Sequence, residues 1–113
     1  MWIRAKLWQL SEKQEIASMT AGTAKGTKLI DNERVTVWEW RFAKPGDNTG
    51  WHKHGHDYVV VPLKDGKLRI ASAAGDSIAE MKAGAPYFRQ EGVEHDVINA
   101  TDGDYAFIEI ELK

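Results

Sequence analysis

From Asp31 to Asp104, turn-forming clusters recur about every ten residues, and the segments between them are rich in β-branched and aromatic side chains. The clusters are DNE at 31–33, KPGDNTG at 44–50, Asp65-Gly66, AAGD at 73–76, KAGAP at 82–86 and ATDGD at 100–104. This rhythm admits strands and short connections but almost no helix. It predicts a small all-β sandwich or barrel. At 113 residues the chain has enough material for one continuous core and too little for two, so a single domain is expected.

Taken in order, Trp2 to Trp8 alternates as a short strand, with Trp2, Arg4, Lys6 and Trp8 on one face. Ser11 and Gln14 form a capping-box pattern for a short helix from Glu12 to Met19, or for a loop with one helical turn. After the unpatterned AGTAKGTK, a strand is expected near Thr27 to Ile30. In RVTVWEWRFA (34–43), Thr36, Trp38, Trp40 and Phe42 share one face and predict core, while Glu39 and Arg41 share the other as a solvated pair. Asp57 to Leu63 reads as an apolar strand, and Asp65-Gly66 as a two-residue hairpin with positive φ, so that Lys67 to Ser72 pairs back on it. Pro62 confines that strand to an edge or to a bulge near its end. Ser77 to Met81, a segment centred on Tyr87 and Phe88, and Val93 to Asn99 are further strands. Tyr105 to Leu112 alternates cleanly, with Ala106, Ile108, Ile110 and Leu112 as its expected core face.

A net charge of −2 gives no electrostatic case for nucleic acid or an anionic membrane, and no apolar run approaches a membrane span. The first fifteen residues have no signal-peptide pattern, which predicts a cytoplasmic protein. With no cysteine, thiol chemistry, zinc ribbons and iron-sulfur clusters are excluded, and any metal must sit on nitrogen and oxygen. Trp2 and Trp8, on a segment outside the main strand pattern, suggest a homodimer formed by pairing an edge strand.

Chemistry concentrates in GDNTGWHKHGHDYVVVPLKDG (46–66). His52, His54 and His56 alternate, so on an extended chain their imidazoles share one face. The fourth histidine, His95, lies in a second Gly-rich turn, GVEH, and is expected to fold back onto the others. A His-x-His pair joined by a distant third imidazole is a facial ligand set for zinc, iron, copper or nickel that leaves positions open. His56 has the right parity to replace His52 or to join as a fourth nitrogen, but Gly55 can break the strand before it.

These residues resemble the two motifs of the cupins. Gly46, five residues, His52, Lys53, His54 and later Gly66 resemble the first, G-x5-H-x-H-x3or4-E-x6-G. Gly84, five residues, Gln90, Glu91, Gly92, two residues, His95, three residues and Asn99 resemble the second, G-x5-P-x-G-x2-H-x3-N, with Gln90 where proline is usual. The resemblance covers about Arg34 to Leu112, the barrel core, and leaves residues 1–33 as an N-terminal extension and first strand. It implies a double-stranded β-helix, a jelly-roll barrel, holding a divalent metal on His52, His54 and His95, with Asn99 a structural position. WHKHGHDYVVVPL is also similar to small bacterial cupins labelled as accessory to β-alanine degradation.

At the family's glutamate position this chain has Tyr58 or Val59, and strand parity favours Tyr58 facing inward. Three-histidine sites without the acid occur among cupin-like dioxygenases acting on thiols, so the resemblance implies a metal-dependent enzyme, dioxygenase-like or Lewis-acid, on a small polar metabolite. The metal would be Fe(II), Zn, Mn or Ni; a non-catalytic module binding a small ligand or metal is the alternative. Tyr58 would donate a proton to a bound oxygen species or substrate, or plug the cavity. Trp51 and Phe88 are expected to border that cavity, and Arg41 and Arg89 are candidates for gripping a carboxylate.

Overall fold

The computed structural model describes residues 22–113. The strand and helix expected within residues 2–19, and with them Trp2 and Trp8, lie outside the described residues. Among the described residues there are nine strands and no helix: β1 (Lys25–Asp31), β2 (Val35–Phe42), β3 (His52–Lys53), β4 (Asp57–Pro62), β5 (Gly66–Ser72), β6 (Gly75–Met81), β7 (Tyr87–Arg89), β8 (Glu94–Asn99) and β9 (Tyr105–Leu112). No described helix is long and apolar enough to cross a membrane. The strands form two antiparallel sheets in the orders β1-β2-β9-β4-β7 and β3-β8-β5-β6. This is the double-stranded β-helix, with successive segments crossing between sheets.

Two sequence expectations are corrected by that crossing. Asp65-Gly66 does not close a hairpin between β4 and β5. β4 lies between β9 and β7, while β5 pairs with β6 and β8 in the other sheet, and the AAGD turn closes the β5-β6 hairpin. Nor does Gly66 need positive φ, since the glycines that adopt it are Gly46, Gly50, Gly75, Gly84 and Gly92. Its lack of a side chain serves packing: a Cβ there would stand 2.5 Å from Thr101 Oγ1 and 2.7 Å from Tyr105 Cδ1. Pro62 lies past Val60, the last residue of β4 in the β7 pairing, so its missing N–H falls where that ladder has stopped.

The core lies between the sheets and consists of Phe42, Tyr58, Val60, Leu68, Met81, Val97, Tyr105 and Phe107. Phe42 joins its aromatic members, 5.7 Å from Phe107 and 6.4 Å from Tyr105 between ring centroids. β9 therefore faces the interior with the opposite set of residues from the one its aliphatic pattern suggests. Tyr105, Phe107, Glu109 and Glu111 are buried, whereas Ile108 and Ile110 are half-buried and Leu112 is exposed; only Ala106 of the expected set is fully buried. Ile108 and Ile110 sit in register between Glu39 and Val37 of β2 and Val61 and Val59 of β4, whose side chains screen them from either side.

The Gly66 contacts give a test of this packing. Thr101 cannot retreat, because its hydroxyl accepts from Lys67 N–H and donates to Lys67 O. Tyr105 is in the core. Gly66→Ala should cost about 1–3 kcal/mol by overpacking. Gly103→Ala, where a Cβ meets nothing, should stay within about 0.5 kcal/mol of wild type. Urea unfolding midpoints compare the two, and equal midpoints would contradict the close approach.

Candidate metal centre

The first two histidines are delivered by a turn stapled to β8. Thr49 is tied twice to Val97: its N–H donates to Val97 O, and its side-chain hydroxyl accepts from Val97 N–H. The Asp96 carboxylate accepts from Gly50 N–H at 3.0 Å and from the Asn48 side-chain amide at 2.9 Å. The chain then enters β3 with His52 directly opposite His95 of β8. His54 follows on the same face, and its backbone is clamped to the second turn: its N–H donates to Val93 O, and its carbonyl accepts from Gly92 N–H, both at 2.8 Å. Gly92 makes that return at φ 91, a conformation that L side chains seldom adopt. Asn99 closes the far end of β8, its amide donating to Lys44 O and Gly103 O and its side-chain oxygen accepting from Thr101 N–H.

His52, His54 and His95 converge as expected. Nε2 of His52 lies 3.0 Å from Nε2 of His54, which lies 3.2 Å from Nε2 of His95. All three residues are buried. Nδ1 of His52 lies 2.8 Å from Gly50 O, which favours a proton there, and Nδ1 of His54 faces Glu111 Oε2 at 3.6 Å and Glu109 Oε2 at 3.8 Å. With protons on both Nδ1 atoms, the two Nε2 lone pairs point at each other, an arrangement that a cation between them makes favourable. At metal–nitrogen bonds of about 2.0–2.1 Å, ligands at right angles stand about 3.0 Å apart, so the His52–His54 and His54–His95 spacings fit neighbouring ligands of one divalent metal. Burial pushes the His95 imidazole down to about 3, with His52, His54 and Arg89 acting in the same direction, so the ring stays neutral and able to ligate.

Two cavities flank the cluster. The larger, about 350 Å³, is lined by Tyr58, Tyr87, Arg89, His95 and Glu109 over an apolar floor that includes Leu68 and Phe107. The smaller, about 290 Å³, has Trp38, Trp40, His52, His54, Glu109 and Glu111 in its wall.

No family model matches the chain. The β-alanine degradation protein BauB of Pseudomonas aeruginosa is 55% identical over 87 residues, which span 77% of this chain and 90% of that protein. A cupin domain from Bordetella pertussis Tohama I, known from its crystal structure, superposes with a TM-score of 0.78 at 49% identity, covering 84% of this chain and 98% of that one. The chain belongs to the cupins. An RmlC-like cupin from Methanocaldococcus jannaschii shares the double-stranded β-helix fold at 14% identity, with a TM-score of 0.66 over 95% of this chain and 89% of that one.

The remaining candidate residues of this cupin are placed as follows. Tyr58 faces inward, as parity predicted, with its ring stacked on His54 at 3.8 Å. Burial, reinforced by the charge on Glu109, pushes its phenol well above the ordinary value, so it remains a proton donor. His56 is half-buried and outside the cluster, because β3 ends at Lys53 and the chain crosses to the other sheet before β4 begins at Asp57. Trp51 and Phe88 border neither cavity: the Trp51 indole N–H donates to Glu94 at 3.1 Å, and Phe88 is 50% exposed. Arg41 also lines neither; it lies on the outward face of β2, ion-paired with Glu39 at 3.0 Å. Arg89 does reach the larger cavity, its guanidinium 4.5 Å from the Tyr87 ring centroid.

Glu109 and Glu111 were not foreseen. They are 7% and 1% exposed, and with His54 they form a second group of potential ligands. Their signal was present in the sequence: two glutamates with period two continue the face begun by Tyr105 and Phe107. On a strand of a solvated sheet that pattern means polar side out, but this strand runs through the middle of a five-stranded sheet whose inner face carries the site.

The depressed His95 value fixes the sign of a pH effect. Unfolded, this imidazole takes a proton below its ordinary 6.5; folded, it resists until about 3. Stability is therefore fully present above 6.5 and is lost as pH falls through that window. In chelator-treated protein, His95→Asn should reduce the acid-side slope of unfolding free energy by about one proton, or about 1.4 kcal/mol per pH unit. An unchanged slope would show that the folded ring is not held neutral.

Proposed function

We propose that this cupin is a metal-dependent enzyme acting on a small polar metabolite, with a divalent ion (Fe(II), Zn, Mn or Ni) on His52, His54 and His95. The observation that carries the reading is the convergence of three buried Nε2 atoms at 3.0 and 3.2 Å. A bound ion would supply dioxygen activation if iron, or Lewis-acid polarisation of a substrate oxygen if zinc, manganese or nickel. The role in β-alanine degradation carried by the relative's name supports a small amino-acid-like metabolite.

The chain's own residues then divide the work. Glu109 and Glu111 favour the proton on Nδ1 of His54 and so aim its other nitrogen at the centre, as carboxylate partners of ligating histidines do. Tyr58, stacked on that ring and lining the larger cavity, offers a phenolic proton beside the centre rather than a carboxylate ligand. Arg89 offers a guanidinium fork suited to a carboxylate at the same cavity.

Anaerobic titration with Fe(II), and separately with Zn, tests the assignment. One equivalent per chain is expected, with His54→Ala weakening binding by about 100-fold or more. A protein that takes up no metal, or that binds it equally well as His54→Ala, would overturn the reading.

A further inference from the structure

His52 and His54 are aimed at the centre by different devices. Carboxylates of β9 face Nδ1 of His54, whereas Nδ1 of His52 meets a backbone carbonyl, Gly50 O, at 2.8 Å. A carbonyl oxygen only accepts, so this contact is a hydrogen bond when Nδ1 carries the proton, which leaves the lone pair on Nε2. The same oxygen accepts from the Thr49 hydroxyl at 3.0 Å, so both of its lone pairs are engaged. The tautomer and direction of the His52 ring therefore depend on where the Gly50 carbonyl is held.

That carbonyl belongs to a turn ahead of β3, and Gly50 adopts φ 91 there, a region in which glycine has freedom to reorient. Asp96, the residue after His95 on β8, is what holds it. One carboxylate oxygen accepts from Gly50 N–H at 3.0 Å, and the other accepts from the Asn48 side-chain amide at 2.9 Å, so a single side chain bridges two residues of the turn. Asn48 is itself fixed, its N–H donating to the Thr23 hydroxyl at 3.0 Å. Bonds from N–H to a carboxylate are stronger than neutral ones, and Asp96 is half-buried, which limits competition from water. Neighbouring residues of a strand point to opposite faces, so β8 turns His95 towards the centre and Asp96 towards the segment that carries His52.

We propose that Asp96 is the positioning residue of His52: by holding Gly50, it fixes the tautomer and the direction in which that imidazole meets a metal. The proposal rests on the three-histidine reading for its purpose, but the tautomer is a property of the metal-free protein, so the two can fail separately. Without the carboxylate, Gly50 is free to turn its carbonyl away, and a His52 ring that carries its proton on Nε2 cannot ligate through that atom.

The test takes full-length, chelator-treated protein and reads the tautomer of each imidazole from its ring-nitrogen NMR resonances; zinc titration of the same samples against a competing chelator gives the affinity. Wild type is expected to carry the His52 proton on Nδ1. Asp96→Ala should give a mixture of His52 tautomers, leave those of His54 and His95 unchanged, and weaken zinc binding by about 10–100-fold. Asp96→Asn, which still offers an oxygen to Gly50 N–H, should lose less on both measures. A wild-type His52 protonated on Nε2 overturns the proposal. So does an Asp96→Ala protein with an unmoved tautomer, since any loss of affinity would then reflect charge or general loosening, and so does a shifted tautomer with wild-type zinc affinity. A tautomer shift in a protein that takes up no zinc even as wild type supports the hold of Asp96 on His52 and overturns the metal centre. Should Asp96→Ala fail to fold, the wild-type tautomer and a partial shift in Asp96→Asn decide.

Discussion

The pairing of His52 with His95 across the short β3-β8 ladder is the constraint on which the site depends. A two-residue strand has little stability of its own, so its position is set by what precedes and follows it. Asp96, Thr49 and Val97 fasten the turn before it, and the Gly92 and Val93 backbone fastens His54 after it. The second motif therefore does more than contribute one imidazole. It supplies the backbone that holds the first motif's histidines in place, which is why the two segments act as one unit although they are 41 residues apart at His54 and His95.

The buried carboxylates give this centre its electrostatic character. Keeping ionised groups away from water costs several kcal/mol each unless nearby charge or dipoles meet them. Glu109 and Glu111 stand at 3.8 and 3.6 Å from His54 Nδ1, so a proton on that nitrogen improves their surroundings. With Tyr58 at the position of the family's glutamate, the acids beside the histidines come instead from β9, at Glu109 and Glu111. Tyr58, stacked on the same imidazole, fills the space with a group that burial keeps protonated.

Much of this was legible in the sequence. Period-two patterning located every described strand to within a few residues, and Gly92-x2-His95 read together with His52-x-His54 picked out the three histidines that the fold brings together. What it misread has a common physical cause. Local pattern reports which residues alternate but not which sheet a strand joins or which face a barrel encloses. Asp65-Gly66 has the chemistry of a hairpin, yet the chain there crosses between sheets, and Gly66 answers to the ring of Tyr105. On β9 both faces are apolar enough to bury, and the one carrying Glu109 and Glu111 turned inward because it shares the interior with the histidines. Arg41 and Phe88 look like site residues by type, but each falls on the outward parity of its strand.

X-ray absorption spectroscopy of the zinc-loaded protein addresses the central claim most directly, because it counts the imidazoles bound to the ion. Three imidazole nitrogens at about 2.0–2.1 Å are predicted for wild type, falling to two in His95→Ala. A first shell with fewer than three imidazoles in wild type, or one unchanged by His95→Ala, would contradict the account.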